Sequence, residues 1–259
     1  MRKLYHFLLY TIPRPVLIRC SLFLKAILGL LLRGHKFTDP INGKSYSYFL
    51  PYGQLKGRRR NNVLSPGTLS LERHRLMWLY LAGRQDFQKN KIKVLHIAPE
   101  QCFYKYFRKM SNLEYITADY NSPIADMHFD LHRIPLDDDQ FDVVFCNHVL
   151  EHVNDDRQCM QELFRVMKPG GWGIFQVPLD PGLEHTFEDP EITSAEERAQ
   201  HFGQKDHVRL YGLDYKDRLM DAGFTVEVCN FIAQFTEAEI ERYALQKGEQ
   251  LYICSKHSG

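Results

Sequence analysis

The chain has 259 residues, 44% hydrophobic and 25% charged, with a formal net charge of +1; this is enough to bury a substantial core, and it excludes a disordered tail or a small stapled scaffold. Charge is unevenly shared, because residues 1–60 hold 12 Lys/Arg and the single acid Asp39 while the remainder carries a net charge of −10, so the two parts are expected to face different surroundings. Six cysteines, at positions 20, 102, 146, 159, 229 and 254, include no C-x-x-C pair, which argues against a disulfide framework or thiol-based zinc knuckle and fits a reducing cytoplasm.

Arg2 and Lys3 precede an apolar run, but no small-x-small cleavage site follows, and Arg14, Arg19, Lys25 and Arg33 interrupt the run. Its longest unbroken stretch, Ala26 to Leu32, is seven residues, against the roughly 20 that a bilayer span needs. Pro15 to Arg33 reads as a helix with Pro15 in its first turn and Gly34 at its C-cap. Arg14, Ser21, Lys25, Gly29 and Arg33 fall in one stripe about 120° wide on an otherwise apolar helix. Such a helix suits the interface of an anionic membrane, with basic side chains snorkelling to headgroups. The expectation is a cytoplasmic protein with peripheral contact at the inner membrane face; the other reading packs this helix on the catalytic domain or on a second subunit.

Residues 37–75 are expected to form a ribbon-like segment and linker, with short strands around Ser45–Leu50, and the run SLERHRLMWLYL opens an amphipathic helix. From Lys91 onward strands and helices alternate at short intervals, the mark of a parallel sheet covered by helices. KVLHIA is a buried central strand, and PEQCFYKYFRKM follows as a helix with Pro99 near its first turn. EYITADY is a strand ending in Asp119, and FDVVFCNHV is another. NDDRQCMQELFRVMKPGG is a helix closed by glycine, and WGIFQVP is a further strand. The insertion between Val177 and Tyr211 contains Thr193-Ser194-Ala195-Glu196, which reads as a capping box for a short helix from Ser194 to His201. It is expected to cover the ligand cleft. LDYKDRLMDAGF, a Thr236-initiated helix and the strand EQLYICS complete the sheet.

The run DLHRIPLDDDQFDVVFCNHVLEHVNDD…LFRVMKPGGWGIFQVP resembles the class I S-adenosylmethionine-dependent methyltransferases, of the type 11 small-molecule kind, over about residues 91–255. The resemblance implies a doubly wound Rossmann-like α/β fold with a seven-stranded sheet, in a methyltransferase domain at 76–259 that follows the basic helix (1–36) and the ribbon-like segment (37–75). A dehydrogenase should instead show G-x-G-x-x-G after its first strand, and none is present. Residues 39–68 resemble a small zinc ribbon that precedes this domain in some bacterial proteins. Its knuckles correspond to Asp39-Pro40-Ile41-Asn42 and Ser65-Pro66-Gly67-Thr68, which lack the thiolates that structural zinc requires, so no metal is expected there.

The family's glycine-rich cofactor loop is replaced by His96-Ile97-Ala98-Pro99-Glu100-Gln101-Cys102. Two readings follow: Glu100 meets the methionine ammonium of the cofactor, as in a recurrent LHIAPE variant that this stretch resembles, or the domain is a catalytically silent scaffold. By resemblance the cofactor residues are His96, Ala98, Pro99 and Glu100, then Asp119 for the ribose hydroxyls, Asp130 and Leu131 for the adenine, and Asn147 beside the sulfonium. His148, His152 and His207 are candidate bases if the acceptor is a hydroxyl. Glu151 and Arg209 are expected substrate contacts. His148-Val149-Leu150-Glu151-His152 also matches the H-x-x-E-H zinc signature. It is set aside, because it begins where a strand ends and lacks a third ligand, and no metal is expected. The acceptor is expected to be a small or lipid-linked molecule. Lys56 to Arg60 lacks neighbouring stacking aromatics, so no nucleic acid is expected.

Overall fold

The computed structural model describes residues 27–53 and 59–257. The chain divides into two compact units. The first takes the described residues up to Arg84 together with Gln101–Phe103 and Phe231–Glu249. Residues 27–31 are helical, but most of the helix expected from Pro15 lies outside the described residues. That helix does not reach Arg33. Arg33 opens strand β1 (Arg33–Asp39), which pairs antiparallel with β2 (Lys44–Tyr46), and β3 (Leu50–Tyr52) pairs likewise with β4 (Arg60–Leu64). Phe37, Tyr46 and Phe49 form the apolar centre of this ribbon.

At the turn after β1 the two thiol-free knuckles meet. Asp39 is fully buried, and its carboxylate accepts hydrogen bonds from the Ile41 N–H (3.0 Å) and from the hydroxyls of Ser65 (2.5 Å), Thr68 and Ser70 (3.4 Å). Gly67, in the second knuckle, has no room for a side chain, because a Cβ there would lie 1.9 Å from the Tyr46 hydroxyl. The ribbon is therefore held by a buried carboxylate that gathers three hydroxyls as well as by packing. Helix α1 (Glu72–Gly83) was expected to be amphipathic, yet it turns Glu72, His74 and Arg75 inward together with Leu76, Met77 and Leu81. The reason is Arg75, which donates to the carbonyls of Val63, Ser70, Tyr243 and Ala244 and so ties three stretches of backbone to one guanidinium. Burial lowers its pKa to about 10. Thr236 and Glu239 cap the helix Glu237–Arg242 reciprocally, as the sequence leads one to expect.

The second unit comprises Gln85–Glu100, Tyr104–Asn230 and the described residues from Gln250 on. After α2 (Gln85–Lys89), its elements are β5 (Ile92–Ile97), α3 (Gln101–Phe107), β6 (Leu113–Asp119), β7 (Met127–His128), β8 (Phe141–Asn147), α4 (Asp156–Val166) and β9 (Met167–Gln176). There follow β10 (Phe187–Glu188), α5 (Ala195–His201), β11 (Arg209–Leu210), α6 (Tyr215–Asp221), β12 (Thr225–Cys229) and β13 (Leu251–Ser255). Seven of these strands form one sheet in the order β12-β13-β9-β8-β5-β6-β7, parallel except for β13, which runs antiparallel to both neighbours. This is the Rossmann-like methyltransferase fold. Its central strands are near-continuous apolar runs because both faces are covered, and α4 buries Cys159, Met160, Leu163 and Val166 against them.

Several boundaries differ from the sequence reading. Pro99 lies ahead of α3 rather than in its first turn, since Glu100 is the N-cap. Helix α4 stops at Val166, and the MKPGG stretch already belongs to β9, with a register shift that absorbs its glycines. The cap of α5 is Ser194 with Glu197, one residue later than expected.

Candidate functional site

The sheet order reverses direction at the junction of β5 and β8, and in such sheets ligands bind beyond the carboxyl ends of the strands. A crevice of about 420 Å³ lies there, a volume in the range of small-ligand sites. Among the described residues it is lined by Ile97 and Ala98 after β5, Ala118, Asp119 and Tyr120 after β6, Phe129 to His132 in the next loop, and Val149 and His152 to Asn154 after β8.

Ala98 carries a left-handed backbone, φ +49°, with its N–H donating to the Ala118 carbonyl at 2.8 Å. The turn thus keeps a conformation that favours glycine, at a cost of roughly 1–2 kcal/mol for a residue with a Cβ. Asp119 closes β6. Its Oδ1 accepts from the N–H groups of Asn121 (2.8 Å) and Ser122 (2.7 Å), which fixes the carboxylate and leaves Oδ2 to serve a ligand. Asp130 accepts at Oδ1 from both the backbone N–H (2.9 Å) and the ring Nδ1–H (2.6 Å) of His132, which hold its carboxyl below the usual carboxylate range. The His132 Nε2 in turn accepts from the Asp155 N–H at 3.1 Å.

Four expected cofactor residues stand behind this surface. His96 is wholly buried and does not line the crevice, so the expectation that it touches the cofactor is corrected: it is a positioning residue. Burial keeps the Tyr115 phenol protonated, so its O–H donates to His96 Nδ1 (2.7 Å) and His96 Nε2–H donates to Glu100 Oε2. The other Glu100 oxygen accepts from Asn147 Nδ2 at 3.3 Å. Glu100 is thereby pinned beside the strand ends and does not fill the crevice. Pro99 also stands outside the lining, its place being to end β5 ahead of α3.

After β8 the chain turns at once, with His148 in a left-handed conformation (φ +55°) and its N–H donating to the Gln176 carbonyl. Glu151 is buried, and its Oε1 lies 3.3 Å from His148 Nδ1 and 4.0 Å from His152 Nε2. Burial would raise the Glu151 carboxyl, but the His148 contact brings it below the usual range. His207 packs edge-on against His152 at 4.8 Å between ring centroids, and desolvation lowers its pKa.

Arg209 corrects another expectation. It is almost fully buried and donates to the carbonyls of Leu150, Val153 and Asn154 and to Glu188 Oε2, so it holds the 150–154 turn and offers nothing to a substrate. It belongs to a network that sequence reasoning missed, in which Arg218 bridges Asp156 and Glu188, and Tyr211 donates to Asp156 Oδ2 at 2.7 Å. No residue of the insertion lines the crevice among the described residues, contrary to the expected cover; β10 and β11 pair with each other and place His207 and Arg209 against the turn. Tyr120, Phe129 and His132 were also missed. The signals available were adjacency to Asp119 and the Asp130-Leu131-His132 spacing.

With this geometry in hand, residues 86–175 match the family described as Methyltransferase domain. Every residue that lines the crevice falls within this matched stretch. A protein from Streptomyces fradiae, an uncharacterized 37.1 kDa product of transposon TN4556, is 33% identical over 109 residues, 41% of this chain; the match spans only 31% of that relative's length. Among solved structures, the [4+2]-cyclase SpnF is similar with a TM-score of 0.48 and 13% identity, covering 93% of this chain and 96% of the other. An S-adenosylmethionine-dependent methyltransferase from Mesorhizobium loti gives a TM-score of 0.41 and 14% identity over 67% of this chain and 98% of the other.

Proposed function

We propose that the protein is an S-adenosylmethionine-dependent methyltransferase whose acceptor is a small or lipid-linked molecule. The observation that carries this reading is the pair of fixed carboxylates in one crevice, Asp119 with a free-facing Oδ2 and Asp130 held ionised by His132, beside a left-handed turn at Ala98. Asp119 accepts from the ribose hydroxyls, since a carboxylate suits a cis-diol. Asp130 accepts from the adenine amino group and the Leu131 N–H meets the ring. Glu100, held beside the strand ends by His96 and Asn147, is the carboxylate assigned to the methionine ammonium, which would extend past the lined crevice toward it. S-Adenosylmethionine supplies an activated sulfonium methyl, so the protein chiefly aligns the reactants and excludes water. A lipid-linked acceptor is favoured by the excess of basic residues in positions 1–60.

The silent-scaffold alternative drew its strength from the glycine-free loop. It is disfavoured by Ala98 adopting the turn that glycine would adopt, and by Glu100 standing clear of the crevice. The test is calorimetric titration of the full chain with S-adenosylmethionine. Asp119→Asn retains an oxygen for the Asn121 and Ser122 N–H groups but puts an amide donor where a ligand needs an acceptor. The expected loss is about 2–4 kcal/mol, roughly 30- to 1,000-fold in affinity. Equal affinity of the wild type and the variant would overturn the assignment.

A further inference from the structure

Beside the crevice, ligand-capable atoms of Glu151, His152 and His207 all lie within 4.8 Å of one another. The turn after β8 supplies the first two, and the residue two positions before β11 supplies the third. His207 is the ligand whose absence from the H-x-x-E-H stretch argued against a metal in the sequence. That stretch is not helical, so the cluster is unlike the helix-borne zinc signature and is assembled by tertiary structure.

Only part of this cluster is satisfied: His148 Nδ1 lies 3.3 Å from Glu151 Oε1. Glu151 Oε2 and His207 Nε2 are buried and have no hydrogen-bond partner. The two imidazoles are locked in the same tautomer: His207 Nδ1–H donates to the Phe202 carbonyl and His152 Nδ1–H donates to the Asp206 carbonyl, each at 3.1 Å. Each therefore presents the Nε2 lone pair toward Glu151. A backbone carbonyl on the far nitrogen is the usual second partner of a metal-binding histidine. Two lone pairs turned toward a carboxylate repel unless a proton or a metal cation lies among them, and leaving buried acceptors unsatisfied is costly. His152 is the most exposed of the three and also lines the crevice, so a coordination position left open by the protein would face the ligand.

We propose that Glu151, His152 and His207 form a binding site for a zinc-class divalent metal ion, with His148 held beside it through Glu151. Two imidazoles and a carboxylate with an open position are the donor set of catalytic zinc sites, and other first-row divalent ions accept it too. Tetrahedral zinc with bonds of 2.0–2.1 Å places neighbouring ligand atoms about 3.4 Å apart, so loading draws in atoms that stand up to 4.8 Å apart. The metal site stands independently of the proposed activity; its use rests on the methyltransferase reading. On that reading the acceptor group is a hydroxyl. A metal ion held there would lower the pKa of that hydroxyl, whose proton would pass to solvent as its oxygen bonds to the methyl carbon and the carbon–sulfur bond breaks with the electron pair staying on sulfur.

The experiment uses the untagged full chain, stripped with a chelator and titrated with zinc chloride at pH 7, with S-adenosylmethionine titrated separately. One zinc per chain with a micromolar or tighter Kd is expected, and cobalt in its place should give the visible spectrum of a tetrahedral nitrogen–oxygen site. His207→Asn and Glu151→Gln, each checked for an intact fold by circular dichroism, are each expected to weaken zinc at least 100-fold. No stoichiometric zinc below 100 µM would overturn the metal site, as would equal binding by the wild type and both variants. Zinc binding without S-adenosylmethionine binding would sustain the site and overturn the cofactor reading, whereas the reverse result would do the opposite.

Discussion

Replacing Asp39 tests how the thiol-free ribbon is held. Its carboxylate accepts from one backbone N–H and three hydroxyls at full burial, and Ser70 connects it to Arg75, whose Nη1 lies 3.4 Å from the Ser70 hydroxyl. The hydroxyls also accept in turn, Ser65 from the Gly67 and Thr68 N–H groups and Thr68 from that of Ser70, so the loop is organised outward from one residue. Hydrogen bonds to a charged group contribute about 1.5–3 kcal/mol each, but they share partners and do not add. Removing one member of a buried charged cluster costs about 3–5 kcal/mol. Asp39→Ala is therefore expected to destabilise the first unit by about 3–5 kcal/mol, roughly 12–25 °C in melting temperature for a unit of this size. Asp39→Asn, which keeps one acceptor oxygen, should lose about half as much. Differential scanning calorimetry of the full chain measures both. An Asp39→Ala variant within about 1 kcal/mol of wild type would refute the account.

Other consequences are simpler. Ala98→Gly relieves a left-handed alanine, so it should be neutral or stabilising by up to about 1 kcal/mol, whereas Ala199→Gly inside α5 should cost about 0.5–1 kcal/mol; urea unfolding compares them. Arg209→Lys cannot reproduce the three carbonyl contacts and is expected to destabilise the second unit by about 2–4 kcal/mol, with cofactor affinity falling as the 150–154 turn loosens. Although partial burial pushes the Glu188 carboxyl up, hydrogen bonds from Arg218 and Arg209 hold it below its usual range. Its stabilising contribution is thus present above the ordinary glutamate pKa and lost as pH falls through the depressed value, so Glu188→Gln should flatten the acid limb of a stability–pH curve. Deleting residues 1–34 should abolish flotation with anionic liposomes; unchanged flotation would defeat membrane attachment through that segment.

The sheet was legible because its strands are buried on both faces, so KVLHIA, EYITADY and FDVVFCNHV announce themselves as apolar runs without any alternation to interpret. Asp119 was singled out by its place at the end of EYITADY and Asp130 by the family resemblance, and both line the crevice. Less visible was anything depending on tertiary meeting points. Nothing in a linear pattern marks that Asp39 would be reached by Ser65, Thr68 and Ser70, or that His207 would face Glu151 across more than fifty residues. Arg209 was misread because a cation in a polar insertion looks like a ligand contact until its carbonyl partners are seen. His96 was misread for the opposite reason: its side chain points into the sheet's packing, where Tyr115 and Glu100 receive it. Among the described residues no helix is long and apolar enough to cross a membrane.

The most direct measurement is a crystal of the full chain grown with S-adenosylhomocysteine, the demethylated product. The account predicts the nucleoside in the crevice, Asp119 Oδ2 within hydrogen-bond distance of the ribose hydroxyls and the adenine amino group at Asp130. A crevice that stays solvent-filled at millimolar product, or that is closed by Glu100 swinging away from His96, would contradict it.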